Sequence, residues 1–350
     1  MQSTIPAPSI VDATVLICTF NRAVDLSEAL ASVLAQDTGG RFNYEVVVVD
    51  NNSTDDTRNV VQALIAQGHS NLRYLFEGRQ GRGHALRLGV SEARGAIYAL
   101  ADDDILVPRH WLRTIIETFE SRPDISFVGG KVLPLWGAQP PRWLTPRHWS
   151  AIALSDYGDQ ELIVDSGHQI CLLAAAFRTA AVKAVGGYGA RLGVSSDRIG
   201  GTEDVDLFAR LFRNGYVGLY IPTLTIQHKV ASNRTTKAYH RRWHVGHGRY
   251  YALMRADDVE VGTHRLFDVP VHLYRQAGAD AIGWVTSLVR GRLDDAFWYE
   301  TRVRFFYGFL RERRDEFVRG GGRTLRDLAS FVRSFAWRSS HHARSAVRRP

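Results

Sequence analysis

The sequence contains few cysteines. Its 350 residues include only Cys18 and Cys171, and each lies in an apolar segment. A disulfide framework is therefore not expected, and two packed thiols in a reducing compartment are favoured. The first twelve residues lack the basic and apolar regions of a secretory signal, so we expect a cytoplasmic protein.

Long apolar runs are also missing. No window of 18 uninterrupted apolar residues occurs, which argues against a membrane-spanning helix. The best candidate, residues 281–289, is too short and is flanked by Asp280 and Arg290. Hydrophobic residues nevertheless make up 45% of the chain and charged residues 23%, a composition typical of a globular protein.

Two common nucleotide-binding fingerprints are absent. Residues 78–83 read GRQGRG, which lacks the GxGxxG spacing of a dinucleotide site, and no GxxxxGK[ST] sequence occurs. These absences disfavour a hydride-transfer enzyme and a P-loop phosphoryl transferase.

Charge is unevenly distributed along a chain whose formal net charge is +8. Residues 321–350 hold seven arginines against one aspartate, a net +6. Such a tail is typical of contact with anionic lipid or of a solvated, disordered chain end. Nucleic acid is the least favoured partner.

The N-terminal half alternates short apolar segments with amphipathic ones. Strands are predicted at residues 13–20, 45–50, 71–76 and 95–101, and helices at residues 25–36, 58–66 and 85–93. This order predicts an open α/β sheet, whose ligands bind at the carboxyl ends of its strands.

Polar side chains collect at those four strand ends. They are Thr19, Asn21 and Arg22 after the first strand, Asp50, Asn51 and Asn52 after the second, Arg82 after the third, and Asp102, Asp103 and Asp104 after the fourth. Turn and helix-cap chemistry explains each set taken alone. Together they predict a site for a nucleoside diphosphate whose phosphates are bridged by a divalent cation.

A second acidic group begins the helix predicted at residues 204–215. Glu203, Asp204 and Asp206 fall in or just before its first turn, where the helix dipole favours negative charge. Capping is one interpretation. The other is a general base, since an acceptor hydroxyl must lose its proton as it attacks. The glycine-rich segment before this helix contains Gly187 and Tyr188, which we predict to contact the acceptor.

Five blocks of the sequence resemble the family 2 glycosyltransferases. They are VLICTFNR, VVVVDNNSTDDT, GRGHALRLG, ADDDILVP and GGTEDVDLFARL, within about residues 13–230. The resemblance implies an inverting enzyme of the α/β class with a GT-A fold, a Rossmann-like nucleotide-binding open sheet flanked by helices. It also implies Mg²⁺ or Mn²⁺ as cofactor and a nucleotide-diphosphate sugar as donor.

The resemblance assigns roles to single residues. Thr19 and Asp50 match nucleoside contacts, and Asp102 and Asp104 match the outer members of the DxD motif. Asp104 is the better metal ligand of the two, and Asp102 is assigned to the ribose and the metal shell. Asp204 matches the catalytic base, with Glu203 beside it. In an extended chain Asp103 points away from Asp102 and Asp104.

Three departures from the family pattern matter. The arginine that contacts the diphosphate in relatives is replaced here by either Arg82 or Arg87. His228 lies where some relatives have a metal-ligating histidine, although a lone histidine after a strand is more often structural. Processive members carry a Q/RxxRW motif, whereas the RRW ending at Trp243 has Tyr239 at the first position. A single-addition enzyme is therefore favoured.

Two further regions are assigned to the acceptor or to lipid. Trp136 and Trp143 lie in a proline-interrupted loop, where indoles stack on sugars or pack on the core. Beyond residue 236 the chain reads as helical. Arginines at positions 302, 304, 311, 313 and 314 favour a membrane or dimer helix as the alternative to core packing.

The predicted organisation has five parts. They are an extension at 1–12, a nucleotide-sugar half at 13–125, an acceptor and catalytic half at 126–235, a helical region at 236–320 and the basic tail at 321–350. The predicted function is transfer of a sugar to a saccharide or lipid-linked acceptor, in cell-surface polysaccharide or glycolipid synthesis, at the cytoplasmic membrane face. The alternatives are a nucleotidyltransferase acting on sugar phosphates and an inactive nucleotide-sugar-binding module.

Overall fold

The structure is a computed structural model. It describes residues 11–167, 170–189, 192, 199–256, 259–262 and 264–320. The predicted basic tail and most of the predicted N-terminal extension lie outside these residues. The chain divides into two compact units, the first reaching Thr236 and the second beginning at Lys237, with residues 198–202 assigned to the second.

The first unit is built on an eight-stranded mixed sheet in the order β3-β2-β1-β4-β9-β6-β10-β8. Its strands are β1 (Ala13–Thr19), β2 (Tyr44–Asp50), β3 (Leu72–Phe76), β4 (Ile97–Leu100), β6 (Phe127–Gly129), β8 (Leu162–Val164), β9 (Ala176–Arg178) and β10 (Gly218–Tyr220). The first four are parallel to one another, and β9 runs antiparallel to both β4 and β6. The four predicted strands are all present, and both predicted halves contribute to this one sheet.

Six α-helices lie in the described residues of the same unit. They are α1 (Ala23–Leu34), α2 (Thr57–Ala66), α3 (Arg82–Glu92), α4 (Trp111–Ser121), α5 (Thr179–Ala184) and α6 (Glu203–Arg213). The valines of β2, from Val46 to Val49, are fully buried, as expected for a parallel strand covered on both faces. The α/β fold class predicted from the strand–helix alternation is confirmed.

Aromatic packing fixes helix α6 against the sheet. Phe208 of α6 contacts Phe127 of β6 edge-on, with ring centroids 5.0 Å apart. Phe127 and Phe177 of β9 are 6.2 Å apart, and Phe177 stacks on Tyr98 of β4 at 5.2 Å. This run of rings anchors α6, so its acidic first turn has a defined position relative to β4.

A second sheet of three strands has the order β5-β11-β7, formed by β5 (Ile105–Leu106), β7 (Val132–Trp136) and β11 (Ile226–Val230). In its antiparallel register Ile105 lies opposite His228. The backbone N–H of Lys229 also donates to the carbonyl of Asp104 at 2.8 Å. These contacts bring a histidine 124 residues away in sequence next to the aspartate cluster.

The second unit is helical, with α7 (Lys237–Met254), α8 (Val271–Val289) and α9 (Leu293–Arg319), plus the short pair β12 (Arg265–Leu266) and β13 (Val269–Pro270). Helices α7 and α9 approach closely: a Cβ added to Gly248 would lie 2.0 Å from the carbonyl oxygen of Phe305. The predicted C-terminal helical extension is confirmed. Within the described part of the chain, no helix is long and apolar enough to cross a membrane.

Three of the five α9 arginines considered for membrane contact pair with buried or half-buried acids of this unit, and a fourth, Arg314, forms an exposed pair with the adjacent Asp315 at 3.0 Å. Arg302 pairs with Asp280 at 2.7 Å, and Arg304 pairs with Glu300 at 2.6 Å. Arg313 is completely buried and pairs with Asp268 at 3.1 Å and with Glu260. These three guanidinium groups stabilise the helical unit, so the case for a basic α9 surface is weaker than the sequence indicated.

Candidate active site

The loop after β2 is held by Asn51. Its side-chain amide donates to the carbonyls of Glu77 at 3.2 Å and Arg79 at 2.7 Å, and its Oδ1 accepts from the N–H of Gly81 at 2.8 Å. Asn51 is 5% exposed. One buried amide therefore fixes the glycine-rich turn that begins α3 and delivers Arg82.

Asp50 and Thr19 end neighbouring strands in register, as predicted for a strand-end site. Asp50 accepts hydrogen bonds from the N–H of Ser53 at 2.9 Å and the hydroxyl of Tyr74 at 2.7 Å. Thr19 donates to Asp103 at 2.8 Å. Both side chains are buried, and in this structure their polar atoms form hydrogen bonds within the protein.

Asn21 ties the first loop to the second. Its side-chain oxygen accepts from the N–H of Thr54 at 2.7 Å, and its own N–H donates to Ser53 at 2.9 Å. Asn21 and Asn52 both have positive φ, 51° and 69°, a conformation that asparagine tolerates well. Asn52 is exposed.

The three aspartates after β4 lie in a turn. Strand β4 ends at Leu100, and the N–H of Ile105 donates to the carbonyl of Asp102 at 3.1 Å. The expected alternation, with Asp102 and Asp104 on one side and Asp103 on the other, is wrong because it requires an extended chain. Asp103 and Asp104 instead share a cation, and Asp102 has a separate one.

Arg22 is the cation shared by Asp103 and Asp104. Its Nη1 lies 3.0 Å from Asp103 and 2.5 Å from Asp104. Burial raises the pKa of Asp103 to about 7, although the charge of Arg22 acts in the opposite direction. The loop after β1 therefore compensates two buried carboxylates of the loop after β4.

Asp104 also faces His228 and Arg234. Its Oδ2 is 3.2 Å from His228 Nε2 and 3.4 Å from Arg234 Nη1. Burial opposes ionisation of Asp104, but the hydrogen bond from His228 and the positive charges around it outweigh burial and hold the pKa of Asp104 well below its usual range. The carboxylate anion is therefore more strongly stabilised at Asp104 than at Asp103.

Arg82 links the other aspartate to the acidic helix. Its Nη2 contacts Asp102 at 2.9 Å, and its Nη1 contacts Glu203 at 2.6 Å and Asp204 at 3.1 Å. These acids are 20, 121 and 122 residues from Arg82 in sequence. One guanidinium therefore holds the end of β4 and the start of α6 together.

Glu203 and Asp204 have different environments. The Glu203 side chain is 4% exposed and that of Asp204 is 26% exposed. Burial raises the pKa of Glu203 to about 7 despite the charge of Arg82. Its Oε2 is buried without a hydrogen-bond partner among the described residues. Asp204 is thus the accessible carboxylate of the pair, and Glu203 is its buried neighbour.

Two thiols and two tyrosine side chains are buried near these acids. Cys18 and Cys171 are free thiols, and burial raises the pKa of both. Tyr188 is 1% exposed, and its hydroxyl lies 3.3 Å from that of Tyr98. The predicted acceptor contact of Tyr188 is at odds with this burial, because the ring packs in the hydrophobic core.

Other predicted residues lie outside the ion-pair network. Arg87 is exposed on α3, five residues after Arg82 and so about 140° around the helix. Trp136 ends β7, Trp143 packs edge-on against the ring of His148, and Gly187 occupies a turn with φ 68°. Of the two arginines considered for the diphosphate, Arg82 is the one in contact with the acids.

The sequence patterns did not predict that Asn51 holds the loops through hydrogen bonds, or that Arg234 pairs with Asp104. Arg234 lies in a short 3₁₀ helix, Ser232–Thr235, six residues after His228. A basic side chain six residues after the candidate metal ligand His228 was the available signal. Asn51 was visible as a strand-end residue, but its three partners were not.

The site thus contains two clusters of carboxylates, each compensated by arginine. One comprises Asp103, Asp104 and His228 with Arg22 and Arg234. The other comprises Asp102, Glu203 and Asp204 with Arg82. Among the described residues no group of three or more acidic, histidine or cysteine side chains is arranged to hold a metal ion alone.

Comparison with known proteins adds independent findings. Residues 14–181 match the family model described as "Glycosyl transferase family 2". An uncharacterized glycosyltransferase of Nostoc sp. is 36% identical over 31% of this chain and 33% of its own length. The match therefore spans about a third of that relative.

A longer match involves a glucosyl-dolichyl phosphate glucuronosyltransferase of Haloferax volcanii, which is 26% identical over 63% of this chain and 70% of the relative. Among solved structures, the chain resembles a mannosyltransferase from Pyrobaculum calidifontis in complex with GDP-Man and Mn²⁺. The TM-score is 0.56 at 20% identity, covering 89% of this chain and 90% of that one. At this identity the likeness concerns the fold.

Proposed function

Because residues 14–181 match the model of glycosyl transferase family 2 and the fold is GT-A, we propose that the protein is an inverting glycosyltransferase. It moves a sugar from a nucleotide-diphosphate sugar to an acceptor hydroxyl. The observation that carries the proposal is Arg82, which contacts both Asp102 and Asp204. The candidate donor-side acid and the candidate base are thus neighbours of one guanidinium.

Asp204 is the proposed general base. A carboxylate in contact with the acceptor hydroxyl takes its proton as the oxygen attacks the anomeric carbon. Attack opposite the leaving diphosphate inverts the configuration. The greater exposure of Asp204 compared with Glu203 supports this assignment, because a base must reach substrate.

The proposed diphosphate contacts are the guanidinium groups of Arg22, Arg82 and Arg234. Each already lies against a carboxylate of the site. Charge-assisted hydrogen bonds from arginine suit phosphate oxygens, and they stabilise the charge that develops on a leaving diphosphate. Thr19 and Asp50 are the proposed walls of the nucleoside pocket.

Asp104 and His228 are the residues proposed to hold Mg²⁺ or Mn²⁺, with Asp102 nearby. The donor set fits, since one Asp104 oxygen lies 3.2 Å from the imidazole and its pKa is held low. Carboxylate and imidazole both bind Mn²⁺, and Mg²⁺ usually retains several waters. When bound, the ion neutralises charge on the diphosphate.

The proposed acceptor is a saccharide or a lipid-linked sugar, in polysaccharide or glycolipid synthesis at the cytoplasmic membrane face. The name of the Haloferax relative supports this choice, because it gives a sugar on a dolichyl phosphate lipid. The basic tail of the sequence is consistent with an anionic lipid surface.

The test is release of nucleoside diphosphate from a panel of nucleotide sugars with Mn²⁺ or Mg²⁺. Asp204→Asn should lower kcat by roughly 10²–10⁴-fold. Asp206→Asn is the matched control, since Asp206 lies in the same helical turn but pairs with Arg210 at 2.6 Å. Asp104→Ala and a chelator should each abolish most of the turnover.

Several outcomes would contradict the proposal. Full activity of Asp204→Asn would show that Asp204 is not the general base. Full activity in chelator would show that the reaction needs no metal ion. Pyrophosphate release from a nucleoside triphosphate and a sugar phosphate would identify a nucleotidyltransferase. Donor binding without turnover, over a broad acceptor panel, would identify a binding module.

A further inference from the structure

Exposed aliphatic side chains lie at the end of helix α8 and at the first residue of α9. We call them the aliphatic stripe: Ile282, Val285, Leu288, Val289 and Leu293, which are 67, 58, 48, 83 and 62% exposed. Residues 282, 285 and 289 have the spacing of one helical face. Such a contiguous set on a surface marks an interaction site more often than scattered exposed residues do.

The opposite side of α8 is already occupied. Gly283 lies against Tyr299 of α9, since an added Cβ would be 2.7 Å from the tyrosine ring. Asp280 is buried and pairs with Arg302 of α9. Helix α8 is therefore anchored by one face, and the aliphatic stripe belongs to the other.

Within the span of the aliphatic stripe, every charged residue is an arginine. Between residues 281 and 293 the charged residues are Arg290 and Arg292, and both are exposed. The first acid after the stripe is Asp294. Aliphatic side chains bordered by arginines are the composition of a helix that lies in the interface of an anionic bilayer.

We propose that the aliphatic stripe docks onto an anionic lipid bilayer, with α8 lying along the surface. The aliphatic side chains enter the boundary between headgroups and acyl chains, and Arg290 and Arg292 contact lipid phosphates. This assigns a defined surface to the membrane contact suggested under the proposed function. It does not depend on the transfer reaction.

Three other partners for the aliphatic stripe fit less well: another protein, a second copy of this chain, and the tail at residues 321–350. A stable protein interface takes about 20 to 30 residues on each partner, and the aliphatic stripe has five. Pairing two copies through the same patch brings Arg290 and Arg292 near their own counterparts. The tail at residues 321–350 carries seven arginines, which the same two residues repel. An anionic bilayer attracts both the tail and the stripe.

The test is cosedimentation of the full chain with vesicles, without donor or acceptor. Vesicles of phosphatidylcholine alone are compared with an equimolar mixture of phosphatidylcholine and phosphatidylglycerol. The variants are Val285→Glu/Val289→Glu and Arg290→Gln/Arg292→Gln. The control is Val261→Glu, which places one glutamate at a valine that is 60% exposed in the same unit, and Val289→Glu alone is its single-charge counterpart in the aliphatic stripe. Circular dichroism checks that each variant is folded.

The wild-type chain should bind the anionic vesicles and bind phosphatidylcholine much less. Val285→Glu/Val289→Glu should lower the partition coefficient by about tenfold or more, and Arg290→Gln/Arg292→Gln by about 30-fold on anionic vesicles only. Val261→Glu should bind like the wild type. Unchanged binding of both double variants would overturn the proposal, as would a wild type that ignores anionic vesicles.

Light scattering of the same samples distinguishes a second copy. A wild-type dimer that Val285→Glu/Val289→Glu converts to a monomer would assign the aliphatic stripe to self-association and overturn the lipid assignment. Because no sugar transfer is measured, loss of vesicle binding leaves the proposed activity untouched. A protein without transferase activity can likewise still bind vesicles.

Discussion

Replacing Arg82 by alanine should destabilise the first unit in a pH-dependent way. Arg82 compensates Glu203, whose side chain is 4% exposed, together with Asp102 and Asp204. Removing one partner of a buried ion pair costs about 3 to 5 kcal/mol, because the other charge stays buried. The contacts with Asp102 and Asp204 are partly exposed and contribute less. We therefore expect the free energy of unfolding of Arg82→Ala at pH 8 to be about 3 kcal/mol lower than that of the wild type.

The pH dependence follows from Glu203. Its pKa is about 7 in the folded protein, against an ordinary value of 4.5. The folded state therefore binds the proton more tightly, so this contribution to stability is complete below pH 4.5 and is lost as the pH rises through 7. Without Arg82 the folded-state pKa rises further, and the loss continues above pH 7 at up to about 1.4 kcal/mol per pH unit.

Urea unfolding of wild type and Arg82→Ala at pH 5 and pH 8 measures this effect. At pH 5 Glu203 is protonated in both proteins, so the difference should shrink to about 1 kcal/mol, the value of the lost hydrogen bonds. At pH 8 the variant should also melt roughly 6 to 12 °C below the wild type. Adding Glu203→Gln to Arg82→Ala should restore about 2 kcal/mol at pH 8, since it removes the uncompensated charge.

Two results would refute this reasoning. One is an equal loss at pH 5 and pH 8, which would mean that ionisation of Glu203 does not govern the effect. The other is a double variant no more stable than Arg82→Ala, which would mean that Arg82 acts through packing. Arg82→Lys tests the geometry, because an ammonium keeps the charge but cannot reproduce the planar fork that contacts three acids.

Two further substitutions test the scaffold. Asn51→Ala should lower the free energy of unfolding in urea by about 2 to 3 kcal/mol, because it leaves buried carbonyl and N–H groups without their partner. The control Asn59→Ala, on the exposed face of α2, should change it by less than about 0.5 kcal/mol. Equal effects would show that the buried amide does not hold the loops. Gly248→Ala should lower the free energy of unfolding by about 2 to 3 kcal/mol, since the added Cβ meets the backbone of α9. Gly278→Ala, in open space on α8, should instead raise the free energy of unfolding by about 0.5 to 1 kcal/mol. A neutral Gly248→Ala would mean that α7 and α9 can separate without penalty.

The predicted fold came from local patterns. Apolar runs and helical periodicity depend on neighbours a few residues away, and they located the four parallel strands and α6. The exact start of α3 was missed, because Arg82 is placed by the turn that Asn51 holds. That turn depends on hydrogen bonds across 26 to 30 residues.

The candidate site was predictable as a set of residue types at strand ends. Its pairings were not. The turn of Asp102, Asp103 and Asp104 replaced the expected alternation because β4 ends at Leu100. Tyr188 was predicted at the acceptor and is in the core, since tyrosine serves both places equally well and sequence does not distinguish them.

The sequence by itself therefore determined the α/β order, the acidic and basic residues available at the strand ends, and the family resemblance. Only the tertiary structure decided which acid meets which cation. The register of β11 beside β5 brings His228 to Asp104, and the packing of Phe208 on Phe127 positions α6 so that Asp204 meets Arg82. The physical reason is that periodicity is a local property, whereas a charge partner more than a hundred residues away is fixed by sheet register and core packing.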